Sequence, residues 1–337
     1  MPSSPLRTDW TYEEADALYH QPLMDLMFQA QQIHRQHFAA NTVQVCTLYN
    51  IKVGGCPEDC GWCGQSVYHG VESQPLADLN KVISVAKDAK ARGATRICLA
   101  ASWRGPTERN LENVIAMVKE IKALGLETCI TLGKLQPKQA EKLKENGLDY
   151  YNHNLETSEN HFSKVTSRNY SDRLATLQHV RAAGMKVCSG GILGLGETKK
   201  DRLELLLTLA NQPQHPQSVP INQLVRIKGT PLENAPLVDE FDFVRCVALA
   251  RILMPKSYVR LSGGRREMSK SMQALCFFAG ANSIHHGGPN LLVTKNADMN
   301  DDVMLFEAMG ITPEPPTLEP STCGPSLKTI PCTVVSV

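Results

Sequence analysis

The chain has 337 residues, of which 35 are basic and 34 acidic, so its formal net charge is +1 at neutral pH. This balance gives no reason to expect a nucleic acid or a membrane surface as partner, and we expect a small molecule instead. Eleven cysteines are an odd number and too sparse for a disulfide scaffold, which favours cluster ligation in a reducing compartment. Because no apolar run approaches the length of a membrane span and the first residues do not resemble a secretory leader, we expect a soluble, cytoplasmic protein.

Residues 1–42 are predicted to form an N-terminal helical extension. Thr11 followed by Glu13 and Glu14 is typical of a helix start, and apolar residues recur at helical spacing between positions 23 and 33. We therefore expect one or two amphipathic helices over residues 9–39, packed on the outside of the remaining fold.

From residue 43 onward, short β-like runs alternate with helix-length amphipathic segments. Candidate strands cover residues 43–51, 95–101, 127–132, 149–154, 186–190, 220–225, 258–262 and 282–286. Candidate helices lie near 78–92, 109–124, 136–146, 171–184, 199–211, 241–253, 268–280 and 300–309. Eight strands that alternate with helices predict parallel pairing and an α/β fold, a closed (β/α)8 TIM-type barrel over residues 43–310. An open, doubly wound sheet is the alternative.

The last segment, residues 311–337, has a different composition. It is rich in proline, with scattered serine and threonine, and shows no amphipathic period. We predict a disordered Pro-rich C-terminal tail, in which Cys323 and Cys332 are free thiols without a chemical role.

Residues 54–63, Gly-Gly-Cys-Pro-Glu-Asp-Cys-Gly-Trp-Cys, contain the most informative motif of the chain. Cys56, Cys60 and Cys63 can hold three irons of a cubane cluster and leave the fourth iron open. The loop closely resembles that of the radical S-adenosylmethionine superfamily, in which S-adenosylmethionine occupies the open iron. A structural zinc site needs a fourth ligand at knuckle spacing, and His69 and Cys98 do not have that spacing. Zinc, a disulfide and unligated core cysteines remain as alternatives.

A second group of polar residues is predicted from strand alternation, because residues two apart share a face. Cys98, Cys129 and Cys188 each lie opposite apolar neighbours on candidate strands two, three and five, and Arg260 lies similarly on strand seven. A single cysteine within a strand is usually a small buried hydrophobic residue. Three cysteines and an arginine that face one barrel axis instead suggest a second, deeply buried iron–sulfur site.

Over residues 9 to about 310 the sequence resembles the biotin synthase family. The resemblance rests on residues 43–45, 55–60, 150–155, 186–191, 194–198, 219–222 and 258–262. It implies that Cys56, Cys60 and Cys63 hold a [4Fe–4S] cluster and that Cys98, Cys129, Cys188 and Arg260 hold a [2Fe–2S] cluster. It further implies that Asn154, Glu156, Ile192 and Val225 contact S-adenosylmethionine and that Asn152 and Asn222 bind the dethiobiotin ureido ring.

The chain departs from the usual family pattern at a few positions, and none of these departures removes a ligand. Gly64 stands where proline is common, Ala100 where glycine is common, and Glu156 where aspartate is expected. His285 and His286 replace aromatic residues of the last strand.

The resemblance implies a sulfurtransferase that inserts sulfur into dethiobiotin to form biotin. A 5′-deoxyadenosyl radical from S-adenosylmethionine removes hydrogen, and the two-iron cluster gives up a sulfide. It also implies a homodimer and a flavodoxin or ferredoxin as electron donor. Two rival functions stay open: another radical enzyme that uses the second cluster differently, and a non-catalytic metal-binding scaffold.

Overall fold

A parallel sheet that closes on itself is the centre of the structure, a computed structural model that describes residues 6–69, 71–287 and 298–315. The strands are β1 (Thr42–Lys52), β2 (Arg96–Ala101), β3 (Glu127–Thr131), β4 (Tyr150–Asn152), β5 (Lys186–Cys188), β6 (Gly191–Leu193), β7 (Ser218–Gln223), β8 (Tyr258–Leu261), β9 (Ser283–His285) and β10 (Thr312–Pro313). Strands β1–β5 and β7–β9 form the barrel, and β1 closes it by pairing with β9 through Gln44–Ser283 and Cys46–His285. The predicted (β/α)8 barrel is confirmed, and the open sheet is excluded.

Helices cover the outside of the barrel. They are α1 (Tyr12–Tyr19), α2 (Leu23–His37), α3 (Leu79–Ala91), α4 (Glu108–Ala123), α5 (Pro137–Glu145), α6 (Glu159–Val165), α7 (Tyr170–Ala182), α8 (Lys199–Ala210), α9 (Glu240–Leu253), α10 (Lys270–Phe278) and α11 (Met299–Met309). Glycines with positive φ follow α3, α4, α5 and α7, as left-handed C-caps require. Among the residues described, no helix combines the length and the apolar character that crossing a membrane would need.

The predicted N-terminal helices pack against the outer helix layer. Thr11 caps α1 through a capping box with Glu14, α1 contacts α8, and α2 contacts α9. Arg245 of α9 donates from Nη1 to the carbonyl oxygens of Tyr19 and Gln21, at 2.7 Å each. These bonds fix the turn between α1 and α2 to the barrel.

The two faces of the strands bury different kinds of side chain. The outward residues predicted from alternation belong to one large apolar core: Ile97, Leu99, Ile130, Leu132, Val187 and Leu261. The inward residues form a separate buried group of cysteines around the barrel axis. The alternation of the strands therefore confirms the predicted inward placement of Cys98, Cys129 and Cys188.

The structure differs from the sequence-based prediction at three short segments. Helix α6, which begins after the N-cap Ser158, is too short to show a period in the sequence. The fifth predicted strand, 186–190, ends earlier, at Cys188, and the short strand β6 that follows it was not predicted. At the start of the predicted tail, Thr312 and Pro313 pair with Thr42 and Val43 of β1, so the prediction of disorder is wrong there. The rest of that prediction, including Cys323 and Cys332, lies outside the described residues.

Candidate functional site

The first cysteine loop comes after β1 and is shaped by two glycines. Gly54 and Gly55 have φ values of +64° and +69°. A Cβ at Gly54 would lie 2.5 Å from a neighbouring carbonyl oxygen, so this turn requires glycine. The backbone N–H of Cys63 donates to the Cys60 carbonyl at 3.0 Å. The turn directs three cysteines to one cavity: Cys56, Cys60 and Cys63.

Arg168 is the cation beside these cysteines. Its Nη1 lies 3.6 Å from the Sγ of Cys60, and its Nε lies 3.3 Å from a carboxylate oxygen of Glu58. Burial raises the pKa of the Cys63 thiol to about 12 and also raises the pKa of Cys56. These two thiols are therefore neutral at pH 7 until a metal centre displaces their protons, which couples ligation to proton release.

A cavity with about 800 Å³ of empty space, partly open to solvent, lies over the cysteine loop. The predicted residues Asn152, Asn154 and Glu156 line it together with Ala100, and Arg173 adds a cation. Within the described residues, no three His, Cys, Asp or Glu side chains converge as ligands of a single metal ion would.

Glu156 has an unusual backbone conformation at the edge of this cavity. Its φ of +71° is the only positive value among the non-glycine residues described. Oε1 lies 3.5 Å from Nη1 of Arg173, whereas Oε2 is buried without a hydrogen-bond partner. Burial raises the pKa of Glu156, although the Arg173 charge opposes this effect. A strained residue with an unsatisfied carboxylate oxygen indicates a ligand that donates hydrogen bonds.

Neither Ile192 nor Val225 is among the residues that line the cavity. Both are half-buried. The Ile192 N–H donates to the Glu156 carbonyl at 2.8 Å, and the residue before Val225, Leu224, donates to the Leu193 carbonyl at 2.9 Å. The structure therefore brings Ile192 next to Glu156, whereas Val225 follows a residue that is bonded to the end of β6.

The barrel lumen holds a second group of buried cysteines, and it has four members rather than the three predicted. They are Cys46, Cys98, Cys129 and Cys188. A hydrogen bond from the Cys129 thiol lowers the pKa of Cys188 to about 5 despite its burial, and the charge of Arg260 adds to this effect. Burial raises the pKa of Cys46 to about 11, against the charge of Arg260.

Arg260 is buried in the lumen, where it contacts two neutral side-chain oxygens and lies close to two sulfurs. Its Nε donates to Oγ of Ser283 at 2.9 Å, and its Nη2 donates to Oε1 of Gln44 at 3.3 Å. Among the described residues no carboxylate pairs with it, whereas the equally buried Arg96 pairs with Glu127 at 2.7 Å. A buried cation of this kind needs a nearby negative charge, and the lowered pKa of Cys188, whose Sγ lies 3.9 Å from Nη1 of Arg260, provides a thiolate in this position.

Asn152 connects the lumen with the cavity. Its Nδ2 lies 3.2 Å from the Sγ of Cys188 and 3.2 Å from Oδ1 of Asn154. Its Oδ1 accepts a hydrogen bond from Thr131 at 3.0 Å. The amide is therefore held in one orientation between the two sites.

Asn222 is held by two loops. Its Nδ2 donates to the Gly191 carbonyl at 3.0 Å, and its Oδ1 accepts from the Gly263 N–H at 2.8 Å. An amide has two hydrogens and two oxygen lone pairs, so one donor and one acceptor position remain for a ligand.

The two histidines of the last barrel strand have different surroundings. Nδ1 of His286 lies 2.9 Å from Oδ2 of Asp302. Nδ1 of His285 lies 2.5 Å from Oγ of Ser262, but its buried Nε2 has no hydrogen-bond partner. Of the two rings, His285 is therefore the one that the protein leaves with an unsatisfied buried nitrogen.

Comparisons with known proteins agree with this geometry. Residues 50–209 match the model of the Radical SAM superfamily, and residues 220–312 match the Biotin and Thiamin Synthesis associated domain. A biotin synthase of Hahella chejuensis is 55% identical over 314 residues, which cover 92% of this chain and 88% of the relative. One of Thioalkalivibrio sulfidiphilus is 55% identical over 331 residues, covering 97% and 96%. The chain belongs to the biotin synthase family.

Biotin synthases share this barrel with other enzymes. The FeFe-hydrogenase maturase HydG of Carboxydothermus hydrogenoformans has a TM-score of 0.80 at 17% identity, over 92% of this chain and 77% of that one. Methylornithine synthase (PylB) has a TM-score of 0.78 at 18% identity, over 90% and 94%. At such identities the likeness concerns the fold alone.

As a member of this family, the chain is a sulfurtransferase that works with a [4Fe–4S] cluster, S-adenosylmethionine and a [2Fe–2S] cluster. The residues present fit these groups. The loop after β1 offers three cysteines next to a cavity that contains the unpartnered Oε2 of Glu156. The lumen offers soft sulfur ligands around Arg260, a buried cation without a carboxylate among the residues described. Soft thiolates of this kind select iron–sulfur clusters.

Proposed function

We propose that this chain forms biotin from dethiobiotin by radical insertion of sulfur, with each group in a defined part of the barrel. The observation that carries this proposal is the position of Asn152, which contacts Cys188 in the lumen and Asn154 in the cavity. A substrate beside Asn152 would contact both sites at once.

The cavity would hold the first cluster and S-adenosylmethionine. Cys56, Cys60 and Cys63 would ligate the [4Fe–4S] cluster, with Arg168 balancing the added negative charge. Four residues would contact S-adenosylmethionine: Asn154, Glu156, Ile192 and Val225. The buried Oε2 of Glu156 supports this placement, because it has no hydrogen-bond partner in the protein and a ribose hydroxyl would donate a hydrogen bond to it.

The inner end of the cavity would hold dethiobiotin over the second cluster. Asn152 and Asn222 would bind the ureido ring. Asn222 keeps one donor and one acceptor position that the protein does not use, and Asn152 keeps one acceptor position on Oδ1. Four residues would hold the [2Fe–2S] cluster: Cys98, Cys129, Cys188 and Arg260. When bound, these groups supply the radical that removes hydrogen from an unactivated C–H bond and the sulfide sulfur that then bonds to the same carbon.

The residues of the chain itself would position the substrate and exclude water from the lumen. The fixed amide of Asn152 sets the distance between substrate and lumen, and Tyr150 closes the lumen against the buried Arg96, whose guanidinium lies 3.6 Å from the ring centre. When the reactive carbon is held in line with its sulfur source, the two do not have to meet by diffusion, which lowers the entropic part of the barrier. A dry lumen prevents competing reactions with solvent.

We also propose that the enzyme is a cytoplasmic homodimer reduced by a flavodoxin or a ferredoxin. This part rests on the family resemblance. Sedimentation of the purified protein tests the dimer, and deoxyadenosine formation with either donor tests the electron source.

The full proposal is tested by anaerobic reconstitution with iron and sulfide, followed by reduction with S-adenosylmethionine and dethiobiotin. Mass spectrometry then quantifies deoxyadenosine and biotin in the same sample, with a reaction lacking dethiobiotin as control. We expect both products. Deoxyadenosine without biotin would contradict the placement of dethiobiotin or of the second cluster, and neither product would contradict the placement of the first.

A further inference from the structure

His285 is a polar ring in the wall of the lumen, at a position where the family usually has an aromatic residue. It lies on β9, is 7% exposed, and pairs in register with Cys46 of β1. It shares its strand face with Ser283, whose Oγ accepts a hydrogen bond from Arg260 in the lumen. The proposed ligand sets and substrate contacts do not include His285, so its two ring nitrogens need an explanation of their own.

The protein satisfies only one of these two nitrogens. Nδ1 lies 2.5 Å from Oγ of Ser262, which follows β8 and is level with His285 across the barrel. Nε2 is buried and has no hydrogen-bond partner among the residues described. Because a buried polar atom without a partner destabilises the fold, a group that the lumen binds is expected to supply the missing partner.

The ring of His285 acts on a sulfur atom of the lumen. A hydrogen bond with the Cys129 thiol holds the pKa of Cys98 well below its ordinary value despite burial, and the His285 ring adds to this effect. Cys98 and Cys129 are neighbours in register across β2 and β3. His285 is therefore within electrostatic reach of a proposed ligand of the two-iron cluster.

The position of the ring proton decides what Nε2 can do. If Nδ1 carried the proton, Nε2 would present a lone pair to a lumen that holds anionic sulfur, which is unfavourable. When the Ser262 hydroxyl donates to Nδ1 instead, the proton lies on Nε2. We propose that the Nε2–H of His285 donates a hydrogen bond to sulfur on the Cys98 side of the [2Fe–2S] cluster and thereby raises the reduction potential of that cluster. This inference rests on the proposed second cluster site.

The expected direction follows from the charge on the sulfur atoms. Reduction adds negative charge to a cluster, so an N–H donor stabilises the reduced form more than the oxidised form. An aromatic ring without nitrogen would fill the same space but could not donate this hydrogen bond. The histidine therefore leaves the ligand set unchanged and changes only the surroundings of the cluster.

A second buried histidine, His34, provides a matched control. Its Nδ1 is also buried without a partner, but its ring lies on α2 in the outer helix layer. The ring is stacked on Phe38 with 5.6 Å between the ring centres. An unpartnered nitrogen alone does not indicate a ligand, and His285 differs because its surroundings contain proposed cluster ligands.

The test compares the reduction of the two-iron cluster in anaerobically reconstituted holoproteins. The variants are His285→Phe, which removes the donor, His285→Gln, which keeps an N–H donor at a similar distance from the backbone, and the control His34→Phe. A potentiometric titration followed by optical absorption gives the reduced fraction of the cluster. Iron and sulfide content and circular dichroism report cluster loading and folding.

The comparison is made at the potential at which the wild-type two-iron cluster is half reduced. We expect the ratio of reduced to oxidised cluster to be at least about threefold lower in His285→Phe, because hydrogen bonds to the sulfurs help to set the potential. His285→Gln should lie closer to the wild type, and His34→Phe should match it. Equal ratios in His285→Phe and the wild type would overturn the inference, and so would an equal shift in His34→Phe. A wild-type protein without a two-iron cluster would contradict the proposed function itself.

A measurement on the wild type covers the case in which His285→Phe does not keep its cluster. Protein is prepared with 15N-labelled histidine, and electron–nuclear double resonance is recorded on the reduced two-iron cluster. We expect a coupling to a histidine nitrogen, because a donor in contact with cluster sulfur receives part of the spin density. A wild-type spectrum without such a coupling would refute the hydrogen bond from His285.

Discussion

Replacing Asn222 by alanine separates a structural role of this residue from a substrate-binding role. The side chain is 8% exposed, and its amide joins the Gly191 carbonyl to the Gly263 N–H at 3.0 and 2.8 Å. Alanine removes both bonds and leaves both backbone groups to find water or to remain unpaired. It also removes the amide positions proposed for the dethiobiotin ureido ring.

The expected losses of stability and of affinity differ in size. An unsatisfied buried group costs about 1–3 kcal/mol, so two of them in Asn222→Ala should lower the free energy of unfolding by roughly 2–6 kcal/mol. Loss of the ureido partner should cost about 1–3 kcal/mol in binding, which raises the Kd for dethiobiotin about 5- to 150-fold.

The assay is calorimetric titration of dethiobiotin into the anaerobic holoenzyme with S-adenosylmethionine present, together with chemical denaturation of the same protein. Asn282→Ala is the matched control. Asn282 is 1% exposed, and its Oδ1 accepts from Val259 and Arg251 at 2.9 Å each, at the end of the barrel opposite the cavity. The control should lose stability but keep its affinity for dethiobiotin. An unchanged Kd in Asn222→Ala would refute the substrate placement, and unchanged stability would refute the two backbone bonds.

Three further predictions concern the clusters and the stability of the barrel. Cys188→Ala should keep cleavage of S-adenosylmethionine but lose biotin formation, and a normal biotin yield would count against the second cluster. Cys60→Ser should lose both deoxyadenosine and biotin, which product analysis checks. Asp302 accepts from Arg265 at 2.5 and 2.8 Å, so Asp302→Asn should cost about 3 kcal/mol of unfolding free energy, because a buried cation loses its partner. Although burial acts in the opposite direction, hydrogen bonds from His286 and Arg265 hold the pKa of Asp302 below its ordinary value. The carboxylate therefore stabilises the fold above about pH 4 and loses this effect as the pH falls through its lowered pKa. Denaturation curves at pH 7 and pH 3 should differ less in the variant than in the wild type.

The alternation of polar and apolar residues along the strands explains why much of the barrel could be predicted. Cys98 and Cys129 lie between apolar residues that face the helices, so their own direction could be inferred from period-2 spacing alone. The glycine C-caps marked helix ends for the same local reason. Such features depend on neighbours in the chain, and those neighbours are visible in the sequence itself.

Cys46 could have been assigned in the same way. On β1 the apolar residues Val43, Val45 and Ile51 alternate with Gln44, Cys46 and Asn50, so period-2 spacing already directs Cys46 to the lumen. Its contact with Arg260 could not be predicted, because closure of the barrel makes it. The unpartnered oxygen of Glu156 and the partners of Arg260 are likewise tertiary properties, because each is defined by what distant segments place nearby.

Barrel closure also sets an order of assembly for the two metal sites. The three cysteines of the proposed first site lie within a single loop and are therefore synthesised together, although the loop is also held by later residues such as Thr166 and Ser167. The second site draws on β2, β3, β5 and β8, and Arg260 bonds Gln44 across 216 positions of the chain. It therefore has no precursor in a partly synthesised chain. The cysteines of the proposed first site are thus neighbours in the chain itself, whereas those of the proposed second site become neighbours only when the barrel has closed.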